Sequence, residues 1–590
     1  MNQRCLIYSV SKYFSGCCAL ACLCITAPAT ARGPDLPVEF AGGRLKVESL
    51  TVGYSQSNPV AGEGRVNRDL GQSIFLDFDL NAYGFAGDFT INGIHKMADS
   101  AFKFRYGDKV NDGTRNKAEL YSFDATRLGD EADVHIFHHV PRYHWGYEGD
   151  FFGLLKEATD LEAIDEFGGE APSGIEVVGK GALDGLKVVA GKEIYWGADK
   201  LAIGKYQFGE NRQYSAVFET GIGDNPKGKK LSLQGEFELG SGSVLKAGVL
   251  SSGTDKIGDS YLYSKDGLVY SEAVSTKDTL AFKARLEEDY GSASLFTEVN
   301  YAGLVAEGGE HQEIWDTNIP HSESGNRRTL EAGARVQMGS LLLSPRLLVR
   351  RNVVDPMSAE AQQASEDYKR HPNNSVFSVS GNRKTNAAEI YLTYDPTPGT
   401  FFYEWDNYLK EDSTLAFNVG VTKIDYLGKS DSSWFPEGIP VAYADDGRPA
   451  EELTRYSSRI VVNPTDGVKI TADIEAGHQQ PVESNFGISR FTSFESTIVH
   501  NARNIYTFSY ANDAYGEYDY YRNYGTSYPR QVSVGYERLL GDLEAPSRIG
   551  IKGFKRNLDA ASEPGGEYTD GESFVNRHMY EIQAYFIYEF

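Results

Sequence analysis

The chain has 590 residues, a formal net charge of −25 and a mean hydropathy of −0.41. This acidic balance argues against nucleic acid as a main partner, because phosphate backbones attract basic surfaces. After residue 31, no stretch approaches the roughly 20 consecutive apolar residues of a membrane-spanning helix. The composition therefore excludes a multi-helix membrane protein and leaves two all-β classes open, a soluble protein and a barrel embedded in a membrane.

The first 31 residues have the three-part pattern of a cleavable signal peptide. Arg4 and Lys12 give a positive start, and a short apolar run leads to an Ala-Thr-Ala cleavage site at residues 29–31. A lipidation site ending at Cys17 fits less well, because Lys12 interrupts the apolar run. All five cysteines lie in this segment, so the mature chain, residues 32–590, is expected to lack disulfides and cysteine-ligated metals.

Between the signal peptide and residue 172 the strand pattern is weak. Alternation of apolar and polar residues indicates four candidate strands, at 44–54, 73–83, 119–126 and 133–139. Residues 141–172 break this pattern, since the apolar positions of 151–167 fall near the helical spacing. We predict a short helical loop insertion there, either packed as an ordinary loop or folded inward as a constriction, and a second, polar helix over 357–370.

From residue 230 onward, two-residue alternation is strong over segments of about ten residues, the length of a tilted membrane strand. In 280–287, Leu280 and Phe282 share one face. Lys283 and Arg285 share the opposite face. The same pattern recurs in 230–239, 330–338, 343–350 and 468–477.

The connections between these segments switch between very short turns and long polar loops. Residues 339–340 form a short turn, and the long loops include 302–327, 425–454 and 555–578. Such switching is typical of membrane barrels, which have short turns at one end and long loops at the other. Residues 351–385 do not fit this alternation of short turns and long loops, which indicates a missed or miscounted strand nearby.

The end of the chain, residues 578–590, forms an amphipathic strand that finishes in phenylalanine. Phe590, Tyr588 and Phe586 lie on one aromatic face. This ending resembles the assembly signal of Gram-negative outer-membrane β-barrel proteins. The resemblance implies an all-β fold, a transmembrane antiparallel up-and-down β-barrel closed by 578–590. It also implies the cell outer membrane as location, with the barrel assembly machinery, outer-membrane lipid and lipopolysaccharide as partners. We expect roughly 16 to 26 strands and favour about 18 to 22.

In such a barrel the polar strand faces line a water-filled lumen that filters solutes by charge. The expected pore-lining residues are charged side chains on the polar faces of the predicted strands, namely Lys283, Arg285, Arg335, Arg346, Arg350, Glu236, Glu298, Glu404 and Asp406. For any single one of them, a solvated position or a weak lateral ion pair is the simpler interpretation. Trp315 and Trp434 lie in predicted loops and are candidates for stacking on sugar rings, whereas most other aromatic residues are expected in interfacial girdles.

No catalytic or cofactor motif stands out, such as a phosphate-binding loop, a His-Glu-x-x-His pair or a nucleophile elbow. The dispersed catalytic groups of a barrel hydrolase would leave no such motif. We predict a non-enzymatic outer-membrane pore, without cofactor, for passive diffusion of small hydrophilic solutes, with carbohydrates among the candidates. Two alternatives stay open. One is an energy-coupled receptor resembling TonB-dependent transporters, with a reduced plug within 32–170, and the other is a structural or polysaccharide-export barrel.

Overall fold

The computed structural model describes the strands of the chain and part of their connections. The described ranges are 38–54, 66–95, 117–140, 172–192, 200–222, 229–240, 242–252, 260–265, 268–273, 275–303, 327–351, 384–396, 414–427, 452–479, 489–512, 530–543, 545–557 and 578–590, together with residues 142–143, 151–152, 158–159, 194, 313–314, 317–318, 353, 377–378, 433–434 and 440–441.

Twenty-four strands of the described chain belong to one sheet. In chain order they are β1 (Val38–Tyr54), β2 (Val66–Ala82), β3 (Phe85–His95), β4 (Lys117–Arg127), β5 (Ala132–His138), β6 (Ser173–Gly179), β7 (Leu186–Lys192), β8 (Leu201–Phe208), β9 (Tyr214–Gly221), β10 (Lys230–Gly240), β11 (Ser243–Ser252), β12 (Leu280–Asp289), β13 (Ala293–Ala302), β14 (Arg327–Met338), β15 (Leu341–Arg351), β16 (Lys384–Tyr394), β17 (Leu415–Leu427), β18 (Glu452–Thr465), β19 (Val468–Gln479), β20 (Ser489–His500), β21 (Asn504–Asn512), β22 (Arg530–Leu540), β23 (Ser547–Asn557) and β24 (His578–Glu589).

Each of these strands pairs antiparallel with the next, and β24 pairs antiparallel with β1. The sheet is therefore a closed up-and-down barrel, which confirms the predicted fold class. Its 24 strands lie within the range expected from the sequence and above the favoured number. Closure leaves no open strand edge, so no row of polar backbone groups faces hydrocarbon.

The seam between β1 and β24 depends on the last residue of the chain. The backbone N–H of Gly43 donates to the carbonyl oxygen of Phe590 at 2.9 Å, and the N–H of Phe590 donates back at 3.0 Å. A Cβ at Gly43 would lie 2.9 Å from Cζ of Phe590, so only glycine leaves room for this ring. The ring also stacks on Phe40, with centroids 6.3 Å apart.

The two ends of the barrel differ in their connections. One end has short turns, such as Tyr83–Gly84, where both residues have positive φ (55° and 80°), as in the hairpin turns that match strand twist. The other end has long connections, including 96–116, 139–172, 303–326 and 352–383, and in barrels of this kind the long loops face the cell exterior. The connection 395–414 is long although it lies at the short-turn end. Because of this exception, the alternation of short turns and long loops predicted from the sequence does not fit near 351–385.

Alternation along the strands sorts side chains between the outside of the barrel and its lumen. On β10, Leu231 and Leu233 are about half exposed on the outward face, whereas Lys230 and Ser232 are buried on the inward face. A soluble sandwich would bury the leucines and expose the lysine. The outward apolar surface therefore requires contact with hydrocarbon.

Helical structure in the described part of the chain is limited to two 3-10 turns, Gly181–Leu183 and Thr276–Asp278. The helix predicted over 151–167 differs from the structure at Ala158–Thr159, which pairs as a short strand with Arg142–Tyr143. Phe151–Phe152 form a turn, and the remaining positions of that helix, with all of 357–370, lie outside the described residues. No helix among the described residues is long and apolar enough to cross a membrane.

Candidate functional site

A network of charged side chains covers the inward faces of β11, β12 and β13. Glu298 on β13 lies directly opposite Arg285 on β12. Its Oε1 lies 3.4 Å from Lys283 Nζ, and its Oε2 lies 3.4 Å from Arg285 Nη1. Arg285 Nε also donates to Glu287 Oε1 at 2.7 Å, and Glu287 accepts from Lys246 Nζ at 3.1 Å. The network therefore links three neighbouring strands through pairs of opposite charge.

The same network continues on β14 and β15, where Glu331 accepts a hydrogen bond from Nε of Arg346. In the pairs Arg285–Glu298 and Arg346–Glu331 the acidic partner is buried and the basic partner reaches the lumen. The side chains of Glu298 and Glu331 are 6% and 7% exposed, whereas those of Arg285 and Arg346 are 31% and 37% exposed. Arg335 is exposed on the same face of β14. This side of the lumen therefore presents guanidinium groups to water.

The ring of Phe296 on β13 lies among these guanidinium groups. Cζ of Arg285 lies 4.1 Å from the ring centroid, and Cζ of Arg346 lies 6.0 Å from it. Gly333 is directly opposite Phe296 on β14, and a Cβ at this glycine would clash with the ring. The absence of a side chain at Gly333 therefore leaves room for the Phe296 ring, and the ring orients the arginines through cation–π contacts.

A second charged region, acidic and absent from the sequence predictions, lies on the inward faces of β2, β3 and β4. Its members are Asp77, Asp79, Asp88 and Asp124. Asp88 lies directly opposite both Asp79 and Asp124. Thr90 Oγ1 donates to Asp77 Oδ1 at 2.7 Å, and Nε2 of His135 on β5 lies 2.7 Å from Asp124 Oδ1. No cluster that could hold a metal ion is found among the described residues. Like charges placed opposite one another destabilise a sheet, so this arrangement does not serve stability.

We call Asp77, Asp79, Asp88 and Asp124 the acidic arc, and Arg285, Arg335 and Arg346 the basic arc. The two arcs face each other across the lumen, because β3 and β15 are half of the 24-strand circuit apart. Both lie near the short-turn end: Asp88 is the fourth residue of β3, and Arg335 is the fourth from the end of β14. A solute at this level therefore crosses an electric field directed from one wall to the other.

The wall from β5 to β9 carries a buried apolar cluster on its inward face, beside buried charged residues such as Lys205 and Glu219. It includes Phe137, Val189, Leu201, Ile203 and Val217, each at most 5% exposed. Inward residues of a wide, open barrel would be wetted, so their burial means that other parts of the chain cover them. Val140 and Ile194, from connections at the long-loop end, are part of this cover. Chain segments therefore enter the lumen from that end.

The turn at Phe151–Phe152 also lies inside the lumen. Phe152 is 2% exposed and packs on three inward residues of β11, β12 and β13, namely Leu250, Ala281 and Ala302. The N–H of Phe151 donates to Gln234 Oε1 at 2.8 Å, and Nζ of Lys283 lies 4.9 Å from the centroid of the Phe151 ring. This turn belongs to the connection between β5 and β6, so that connection reaches across the inner wall as far as β13.

The structure places the remaining residues predicted for the site as follows. Glu236 is exposed on the inward face of β10, and Arg350 is fully buried on the inward face of β15. Trp434 belongs to a two-residue strand that pairs with Pro440–Val441 in the connection from β17 to β18. Glu404, Asp406 and Trp315 lie outside the described residues. The predicted assembly signal, Phe586, Tyr588 and Phe590, is exposed on the outward face of the last strand.

A closed wall that is apolar outside and charged inside spans a membrane. The chain folds as a transmembrane β-barrel. Solved structures with a similar course include the outer membrane protein OpdK from Pseudomonas aeruginosa, with 11% sequence identity over 93% of this chain and 99% of that chain and a TM-score of 0.28. OccAB2 from Acinetobacter baumannii has 8% identity over 93% and 98% of the two chains, with a TM-score of 0.32. The E. coli P pilus tip assembly intermediate PapC-PapD-PapK-PapG has 11% identity over 94% of this chain and 62% of that chain, with a TM-score of 0.39.

No family model matches the chain, and no curated protein matches it by sequence. The function is therefore inferred from the lumen itself.

Proposed function

We propose that the protein is a pore for passive diffusion of small hydrophilic solutes, with carbohydrates among them. The observation that carries this proposal is the lumen at the level of the two arcs, where acidic and basic side chains face each other from opposite walls. Charged groups that line a water-filled pore filter ions and orient dipolar solutes. A barrel made for anchoring or adhesion alone has no need of such a lining.

The passage of a solute through the pore depends on two features of the lumen. The connection that carries Phe151–Phe152 narrows the lumen from the long-loop side, since it is anchored on the inner wall at β11 to β13. Below it, the field between the arcs turns a dipolar solute so that its negative end faces Arg335 and Arg346. Both features act on size and charge distribution, so the selectivity is general and no single binding site is required.

The course of the chain disfavours the energy-coupled receptor considered from the sequence. Such a receptor needs a compact plug, and the sequence left 32–170 as the place for a reduced one. The described residues between Val38 and His138 are mostly strands β1 to β5, each of which pairs with two neighbours in the barrel wall. These five strands therefore belong to the pore wall and not to a plug, which supports the passive pore.

Conductance of the refolded full chain in planar bilayers tests the proposal. A pore gives steady, ohmic steps, and liposomes that contain it swell in solutions of small neutral sugars. A barrel that stays silent in bilayers, while it is folded by its heat-dependent gel mobility, refutes the proposal. A silent barrel that conducts only after 139–172 is deleted would instead favour a gated receptor.

A further inference from the structure

Two arginines face outward at the long-loop end of β14 and β15. Arg328 and Arg351 are directly opposite each other in the pairing of these strands. The next outward positions toward the barrel centre are Leu330 and Val349, which are apolar and exposed. The two arginines therefore belong to the face that meets lipid and not to the lumen.

Their height along the strand places them at the edge of the hydrocarbon. The outward positions of β14 from Met338 to Leu330 are all apolar, and at about 3.3 Å per residue they cover roughly 26 Å along the strand. With a tilt of about 40° this corresponds to roughly 20 Å of height, close to the apolar band of about 25 Å in such barrels. Arg328 follows directly beyond it, at the level of the outer-leaflet headgroups.

Three hydrogen bonds to uncharged acceptors hold the Arg351 guanidinium in a fixed orientation. Nη1 donates to the carbonyl oxygens of Arg350 and Thr385 at 2.7 and 3.0 Å, and Nη2 donates to Asn386 Oδ1 at 2.8 Å. All three acceptors are uncharged. Within the described part of the chain, neither Arg328 nor Arg351 has an acidic partner. Two like charges directly opposite on a sheet repel each other, so an anion bound between them would stabilise this pair.

We propose that Arg328 and Arg351 bind the phosphate group of a phosphorylated glycolipid of the outer leaflet. Guanidinium groups suit this ligand because their planar N–H donors match phosphate oxygens. They are also more weakly hydrated than an ammonium group, so the removal of their water costs less free energy. Two adjacent guanidiniums at headgroup level offer donors to one phosphate while its acyl chains lie on the apolar face below, at Leu330 and Val349. Tyr301, which faces Arg328 from β13, adds an interfacial aromatic residue to the site.

The test compares lipid binding by the refolded full chain and by the double variant Arg328→Gln/Arg351→Gln. The probes are lipid A with both phosphates, dephosphorylated lipid A and inorganic phosphate, and native mass spectrometry measures the bound fraction against lipid concentration. We expect the double variant to bind lipid A about tenfold more weakly, since each basic residue near an anionic lipid surface contributes severalfold. The unaltered protein should lose a similar factor with dephosphorylated lipid A.

Lys555→Gln is the matched control. Lys555 is an outward basic residue at the same end of the barrel, on β23, and it lies 5.8 Å from the ring of Tyr580. Its removal should change lipid A binding less than twofold. The variant Arg328→Lys/Arg351→Lys, which keeps both charges, should retain part of the affinity and shows that the loss does not come from misfolding.

Equal lipid A binding by the unaltered protein and the double glutamine variant overturns the proposal, and so does an equal loss in Lys555→Gln. Displacement of lipid A by millimolar inorganic phosphate also overturns it, because the site would then take a free anion. Bilayer conductance of the double variant should be unchanged. This readout separates failure of the lipid site from failure of the proposed pore.

Discussion

Replacement of Phe152 by alanine is expected to free the inward connection and to widen the pore. The Phe152 side chain fills a pocket on the inner wall made by Leu250, Ala281 and Ala302. Alanine cannot reach these three residues. The part of the connection at residues 151–152 would then be held, within the described residues, by the contacts of Phe151 with Gln234 and Lys283.

The size of the effect follows from the burial of the ring. Truncation of a buried phenylalanine typically costs about 3–5 kcal/mol. The hydrogen bond to Gln234 and the cation–π contact with Lys283 contribute about 1 kcal/mol each. A loss of about 3 kcal/mol lowers the ratio of docked to undocked connection by roughly a factor of 100. The undocked form should therefore be populated about a hundredfold more, relative to the docked form, than in the unaltered protein.

Single-channel recording and liposome swelling measure this change. The Phe152→Ala protein should give larger and noisier unitary steps, and it should admit larger sugars than the unaltered protein. The control is Phe237→Ala, which removes an outward ring that is 41% exposed toward lipid, and it should leave both readouts unchanged. Unaltered step size and sugar cut-off in a folded Phe152→Ala protein would show that this connection does not restrict the lumen.

Three further predictions concern the arcs and the ring between the arginines. Arg335→Gln should lower the preference for anions by about twofold, because a charge at roughly 8 Å in water acts with about 0.5 kcal/mol, and reversal potentials in a KCl gradient measure it. Asp88→Asn should shift the reversal potential in the opposite direction, and equal shifts of both variants would contradict opposed arcs. Gly333→Ala should lower the unfolding free energy by about 1–3 kcal/mol in a denaturant titration, since its Cβ displaces Phe296. Gly204→Ala, where a Cβ meets open space, is the control for Gly333→Ala and should be nearly neutral.

Local sequence patterns predict a strand well where every outward position is large and apolar. On β12, Leu280 and Phe282 alternate with Lys283 and Arg285, and the structure has the same faces. β3 was missed because two of its outward positions are Gly87 and Gly93, which remove the apolar signal. The missing strand also explains part of the low strand count.

The basic arc could be predicted because its residues lie on strands with strong alternation. The acidic arc could not, since one of its members lies on β3 and the grouping depends on register. Asp79, Asp88 and Asp124 become neighbours only when β2, β3 and β4 pair as they do. A single sequence does not state which residues of two strands stand opposite each other.

The connection between β5 and β6 shows a different limit. Helical spacing of apolar residues suggested a helix over 151–167, but the described residues there have other roles: Phe152 packs on the inner wall, and Ala158–Thr159 pair as a strand. The apolar residues of this connection contact strands that are distant in the sequence. Periodicity within the segment could not reveal those partners.

The seam at Gly43 and Phe590 has a consequence for biogenesis. The partner of the first wall strand is the last of the 24 wall strands in chain order, so the barrel cannot close before that strand has been exported. Before β24 pairs, a sheet of 23 strands would have two open edges, whose unpaired backbone N–H and C=O groups could pair with other chains. Pairing with other chains must therefore be prevented until β24 is in place, and loss of the last residues of β24 should yield protein that is degraded rather than inserted.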